Sequence, residues 1–463
     1  MIPVETYRGR RIALFGLGGS GMATAKALVA GGADVTLWDD SPAAIEKARV
    51  AGLHAADLRE LDWKSVSALV LSPGVPLTHP EPHWSVKLAH AFSVPVIGDV
   101  DLFFRERARR APDSIVVCIT GTNGKSTTTA LVAHLLREAG FDAQMGGNIG
   151  TPVLELAPPE ANAPRRVHVL EVSSYQIDLA PTISPTIGIH LNLSPDHIDR
   201  HGSFDHYAAV KERMIASSQI AIVGIDDPAS EAIAMRHARA GGRTVTISVV
   251  AKHGASIHAA GRVITNNQGE TLADLAGIGS LRGSHNGQNA AAALAACLQL
   301  SVPRDIIRKG LATFPGLAHR MEQIGRVGRA LVINDSKATN ADSTGRALLA
   351  FEDGLFWICG GKAKAGGIAD LAPLFPRVAK AYLIGDAAGS FAKTLGPAVP
   401  HVLSGTLEAA VKQAAEDANR SFFAEPVILL SPSCASFDQF PNFEVRGLIF
   451  RDLVSALPGF RPL

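Results

Sequence analysis

The sequence predicts an α/β protein of three domains, each built on a largely parallel sheet. Three observations carry this expectation. Short apolar runs alternate with helical stretches along the whole chain, which is the pattern of βαβ units. Two glycine-rich loops, at 16–21 and 121–127, each follow an apolar run and open a helix. The 463 residues exceed the roughly 250–300 at which a single core stops growing.

The first segment, 1–110, opens with the strand Arg11–Phe15, then Gly16-Leu-Gly18-Gly-Ser-Gly21 and an alanine-rich helix to Ala30. A second strand, Asp34–Trp38, ends at Asp39 and Asp40. This is a Rossmann-like β-α-β with G-x-G-x-x-G at its first turn and an acid about 20 residues on. Such a loop leaves three readings open: NAD, another nucleotide, or a structural turn. A third strand, Ala68–Leu71, runs into Ser72-Pro73-Gly74, and a fourth, Val94–Ile97, leads to a helix over 99–110.

The second segment, 111–317, starts with the strand Ser114–Thr120 and runs straight into Gly121-Thr122-Asn123-Gly124-Lys125-Ser126-Thr127 and a helix. Strand, glycine loop, Lys-Ser and helix make a P-loop ATPase-like arrangement. Loop N–H groups cradle phosphate, Lys125 reaches the β- and γ-phosphates, and the Ser126 hydroxyl suits Mg²⁺. The sequence departs from G-x-x-x-x-G-K-[ST], because Ile119 stands at the first glycine. Glu171 ends the strand Val167–Glu171, where a carboxylate suits a hard cation. Asn192 to His201 follows another strand and is dense in ligands, with His197 and His201 four apart and His206 beyond. It lacks cysteine and H-E-x-x-H, so a nucleotide site fits it better than zinc. Lys211, taken alone, reads as a solvated helix lysine. Ala290–Leu298 reads as a buried helix.

The third segment, 318–463, is Rossmann-like again. The loops Asp335–Asn340, Gly360–Lys364 and Ser431–Phe440 each follow an apolar strand, so basic and hydroxyl groups converge where a carboxylate-bearing substrate would enter.

Composition excludes other classes. Lys plus Arg number 44 against 43 Asp plus Glu, a net charge of +1 without the basic excess of a nucleic-acid binder. No run nears the roughly 18 apolar residues of a membrane span. The apolar stretch after Arg8, Arg10 and Arg11 imitates a signal peptide, but glycines interrupt it. Cys118, Cys297, Cys359 and Cys434 are scattered without metal or redox spacing, and read as buried thiols in a reducing compartment.

Several separated motifs occur together and in order: Thr120–Thr128, Gly146-Gly-Asn-Ile-Gly150, Leu170-Glu-Val-Ser-Ser-Tyr-Gln176, Asp196-His-Ile-Asp-Arg200, Ser284-His-Asn-Gly-Gln-Asn289, His319-Arg320 and Asp335-Ser-Lys-Ala-Thr-Asn340. In this the chain resembles the Mur ligases over nearly its whole length. The resemblance implies a cytoplasmic, monomeric, ATP-dependent amide ligase joining D-glutamate to UDP-N-acetylmuramoyl-L-alanine through an acyl phosphate. Gly121, Thr122, Asn123, Gly124, Lys125, Ser126 and Thr127 would hold ATP, with Asn286 and Asn289 near adenine, Arg320 near the phosphates and Asp335 at the ribose. Ser126, Glu171, His197 and a Lys211 carbamylated by CO₂ would hold two Mg²⁺, and Lys125, Glu171, His197 and Lys211 would carry catalysis. Gly19, Ser20, Asp39, Asp40, Ser72, Gly74 and Asn148 would bind the nucleotide sugar. Lys337, Thr339, Lys364, Ser436, Phe437 and Phe443 would surround glutamate. The alternatives are another Mur ligase, a folylpolyglutamate synthase, or, from a different class, a nucleotide-dependent oxidoreductase using Gly16–Gly21.

Overall fold

A computed structural model describes every residue except 164, 251–253, 363–365 and 463, and only the backbone at 284 and 285. The chain folds into two compact units, one of Met1–Ala276 with His285–Ala312 and the other of Gly277–Ser284 with Thr313–Leu463.

The first unit holds two sheets. In the smaller, Asp34–Trp38, Arg11–Phe15, Val66–Leu71 and Val96–Ile97 lie side by side in that order, all parallel. Chain order reverses across Arg11–Phe15, so the glycine loop at its carboxyl end sits at a switch point. The larger sheet runs Thr271–Asp274, Val263–Asn266, Ile257–Ala260, Arg243–Ser248, Ile220–Gly224, Ile187–His190, Ile115–Thr120, Arg166–Glu171, Asp142–Gly147. Its last seven strands are parallel, and only the edge hairpins over 257–274 are antiparallel. Ile115–Thr120 and Arg166–Glu171 are almost wholly buried, as the continuous apolar runs of two-sided parallel strands require. The helix Ser284–Gln299 buries Ala290 to Cys297 completely or nearly so, as the alanine run implies.

One apolar core joins both sheets, taking in Ile12, Leu14 and Phe103 with Val116, Leu170 and Met214. The backbone of Ile2 also bonds that of Leu154. Packing is therefore continuous across the expected boundary at 110/111, whereas the chain leaves the first unit at Ala312, close to the expected 317/318.

The second unit carries one seven-stranded sheet, ordered His401–Gly405, Val378–Ile384, Leu355–Gly360, Val427–Leu430, Ala330–Asn334, Glu322–Val327, Phe460–Pro462. The first five strands are parallel and the last two antiparallel, with an apolar core on each face. All four cysteines are free and buried. Among the described residues no helix is long and apolar enough to cross a membrane.

Candidate active site

The phosphate loop is built by the junction of Ile115–Thr120 with the helix Lys125–Glu138. Gly124 is the N-cap at φ +85°, and an added Cβ there would lie 2.3 Å from Asn289 Oδ1. No side chain caps this helix, so its first N–H groups point outward as anion donors. The loop is pinned from behind. Thr122 N bonds Asn192 O and Asn123 N bonds Asn192 Oδ1, both at 2.9 Å. Thr122 Oγ1 lies 3.1 Å from the Tyr207 hydroxyl. Lys125 Nζ folds back onto the carbonyls of Gly121 and Thr122, at 3.0 and 2.8 Å. Ser126 and Thr127 are buried at the helix start. Asn286 and Asn289 are buried and bonded to one another at 2.9 Å, and Asn289 Oδ1 accepts from Thr128 Oγ1 at 3.2 Å.

Glu171, at the end of its strand, is only 3 % exposed. Asn148 Nδ2 donates to Glu171 Oε1 at 2.7 Å, while Oε2 is buried without a hydrogen-bond partner. A buried carboxylate with one oxygen unsatisfied is a donor that fits a hard divalent cation. Asn148 thus orients the carboxylate, in addition to any contact with substrate.

Lys211 corrects the expectation of a solvated lysine, because it is 1 % exposed. The helix Phe204–Ala216, capped by Ser203, turns it inward, where Nζ donates to Thr120 Oγ1 at 3.0 Å and to Gly121 O at 3.1 Å. Burial, then the charge of Lys125, drive its pKa well below the ordinary lysine value, while Asp196 and Glu171 pull the other way. The amine is thus held within electrostatic reach of Lys125 and Glu171, where burial disfavours its charged form. His197 is looser: its backbone is left-handed at φ 55°, its side chain is 46 % exposed, and Nε2 lies 3.4 Å from Asp196. Burial first, then Lys125 and Lys211, lower its pKa against the pull of Asp196. His201 is buried, stacked on Tyr175 at 5.4 Å, with burial holding its pKa at about 4.

At the first sheet, Gly21 allows the helix to lie against the turn, since an added Cβ would sit 1.8 Å from Gly16 O. The Asp39 carboxylate accepts from Leu17 N at 2.6 Å and Ser41 N at 2.8 Å, so the acid braces the glycine turn itself. Asp40 lies 3.2 Å from His83 Nε2. Ser20 Oγ donates to the buried Asp99 at 2.7 Å, Ser72 N bonds Phe15 O, and Gly74 O accepts from Arg200. A cavity of about 400 Å³ is lined by Trp38, Asp39, Asp40, Pro42, Ile45, Arg49 and Arg59. Asp39 and Asp40 are the expected members. Gly19, Ser20, Ser72 and Gly74 lie outside it, and Trp38, Arg49 and Arg59 are additions. Only Trp38, next to the strand-end acids, carries a sequence signal for this role.

In the second unit the three loops leave three adjacent strands and are tied together. Ser431 Oγ donates to Asp335 Oδ2 at 2.8 Å, Ser433 N to Ala338 O at 3.0 Å, and Lys362 N to Ala435 O at 2.9 Å. Arg446, fully buried and absent from the sequence reading, binds Ser336 Oγ, Ser336 O and Cys434 O at 2.8–3.1 Å. Asp335 is buried, with both oxygens engaged by Met321 N and Ser431. Burial pushes its pKa up to about 7. Lys337 Nζ lies over the Phe443 ring at 5.4 Å, which stands 6.4 Å from His319. Thr339 and Arg320 are half-buried, Ser436 is buried and Phe437 is 69 % exposed. Lys364 lies outside the described residues.

This arrangement has close counterparts. Residues 119–297 match the Mur ligase middle domain and 319–434 the Mur ligase glutamate ligase domain. The chain is 59 % identical to a UDP-N-acetylmuramoylalanine--D-glutamate ligase of Rhizobium etli, across all of this chain and 98 % of that one. It belongs to the Mur ligase family. A Brucella abortus protein of the same name is 57 % identical to this Mur ligase over its full length and 99 % of the relative. Two solved structures share the fold. Thermotoga maritima UDP-N-acetylmuramate-alanine ligase has a TM-score of 0.58 at 18 % identity, covering 96 % of this Mur ligase and 98 % of that chain. Acinetobacter baumannii MurF has 0.58 at 17 %, covering 98 % and 93 %.

Proposed function

We propose that the chain is the ATP-dependent ligase that joins D-glutamate to UDP-N-acetylmuramoyl-L-alanine in peptidoglycan precursor synthesis, releasing ADP and phosphate. Identity of 57–59 % along the entire chain to enzymes of that name carries this reading. The phosphate loop and the buried Glu171 and Lys211 agree with it chemically. The oxidoreductase alternative is disfavoured by the same relatives, which carry the name of a ligase along the entire chain.

A carboxylate is a poor electrophile, since oxide would have to leave. Transfer of the γ-phosphoryl group to the alanyl carboxylate gives an acyl phosphate. The amine of glutamate attacks its carbonyl, forming the C–N bond, and the tetrahedral adduct expels phosphate. The open helix N-terminus, Lys125 and Thr127 receive the triphosphate, with Asn286 and Asn289 toward adenine. Ser126, Glu171, His197 and Lys211 would hold two Mg²⁺, which when bound supply positive charge against that developing on the transferring phosphoryl group. Lys211, its pKa lowered by burial, can add to CO₂ through its unprotonated amine: the nitrogen bonds carbon and loses a proton, leaving an anionic oxygen donor on a side chain that is ordinarily cationic. The first sheet receives the nucleotide sugar through the cavity at Asp39 and Asp40. Arg320 and Asp335 would contact the nucleotide, and Lys337, Thr339, Lys364, Ser436, Phe437 and Phe443 the glutamate. The division into 1–110, 111–317 and 318–463 follows these three roles. The enzyme is read as a cytoplasmic monomer.

Phosphate release is the test. It should require ATP, Mg²⁺, UDP-N-acetylmuramoyl-L-alanine and D-glutamate together, and turnover with L-alanine or a diamino acid in place of glutamate overturns the specificity. Lys125→Ala should lower turnover by at least about 10²-fold with unchanged circular dichroism. Near-normal turnover in that variant removes the phosphate-loop assignment.

A further inference from the structure

We propose that Asp178, His201 and His206 form a transition-metal site, fitted to Zn²⁺ and separate from the hard-oxygen site at Ser126 and Glu171. Each of the three offers a ligand atom, and those atoms lie within 4.8 Å of one another. It is the one such group among the described residues. They come from three successive helices, Ser174–Asp178, Ile198–His201 and Phe204–Ala216.

The wiring around them is that of a metal site. His201 is 2 % exposed; its Nε2 lies 2.9 Å from Ser174 Oγ, and its Nδ1 is buried with no hydrogen-bond partner. In the tautomer whose Nε2–H donates to the serine, Nδ1 carries the lone pair a metal needs, and the bond to the other nitrogen orients the ring. A buried nitrogen lone pair left unsatisfied calls for an occupant. Asp178 Oδ1 accepts from Arg213 at 2.6 Å, which orients the carboxylate and leaves Oδ2. His206 is exposed, so the remaining coordination positions open to solvent. Two imidazoles and one carboxylate suit Zn²⁺ and its neighbours rather than Mg²⁺, which prefers oxygen. The ion would staple the segment between His197 and Lys211.

The full-length, untagged protein in excess Mg²⁺ is titrated with Co²⁺ as a spectroscopic probe, then with Zn²⁺. One Co²⁺ per chain should give the visible absorption of a low-coordinate, nitrogen-ligated ion, and Zn²⁺ should displace it. His206→Ala should weaken binding at least about 10-fold, keep its melting temperature, and keep its turnover in the absence of transition metal. His54→Ala, an exposed histidine elsewhere, should bind as the parent does. Absence of the absorption, or equal binding by the parent and His206→Ala, overturns the proposal.

Discussion

Lys211 is the residue whose role depends most on its surroundings. Its amine donates to a hydroxyl and a carbonyl, and burial outweighs the pull of Asp196 and Glu171 toward the charged form. If its carbamate supplies an anionic oxygen, Lys211→Ala should lose about 10²-fold or more in turnover. Formate or acetate entering the vacated space should then restore part of it, measured as phosphate release against added carboxylate. No restoration would leave Lys211 a structural residue. Asp335 offers a stability test. Its carboxyl is pushed up to about 7 from a reference of 3.8, so between those values the fold keeps a proton that the unfolded chain releases. Stability therefore falls as pH rises across that window and levels off above it, by up to about 4 kcal/mol. Asp335→Asn should flatten this slope in urea unfolding at pH 5 and pH 8; an unchanged slope assigns it elsewhere. Lys125 and Glu171 were legible in sequence because a strand end and a glycine loop fix their position. Lys211 was legible only by resemblance, since helical periodicity does not say which face meets the core. Arg446 gave no signal, because buried arginine is rare and its partners are distant in sequence.

Among elements, the central parallel strands were readable because burial on both faces makes them continuous apolar runs. The edges were not. Glu322–Val327 mixes buried and half-buried residues, His401–Gly405 buries none, and the short strands over 257–274 carry His, Asn and Thr. Such segments become strands only by pairing with a neighbour already in place. The glycine turns make a sharp comparison at this scale. Gly21→Ala would drive a methyl group into the Gly16 carbonyl, whereas at Gly18 an added Cβ meets nothing within 4 Å. Gly21→Ala should cost about 3 kcal/mol or more in thermal or urea unfolding, and Gly18→Ala less than about 1 kcal/mol. Equal effects would mean that loop sequence matters for something other than packing.

For the whole molecule, the near-zero net charge takes on a local meaning: single cations such as Lys125 and Arg446 sit in chosen places rather than forming a field. The second unit is discontinuous in sequence. Ser280 Oγ, on the separate piece, donates to Phe314 O, and Arg282 lies 3.7 Å from Glu425. A fragment of 313–463 alone should therefore melt lower than one with 277–284 fused ahead of it by a short linker. Identical melting curves would mark that segment as a passive passenger. The same discontinuity interleaves translation with folding. On the ribosome, Gly277–Ser284 emerges before His285–Ala312, which the first unit still needs, and before every other part of its own unit. The nascent chain must finish one body while carrying an early fragment of the next, so a pause or truncation near residue 300 would leave both incomplete at once.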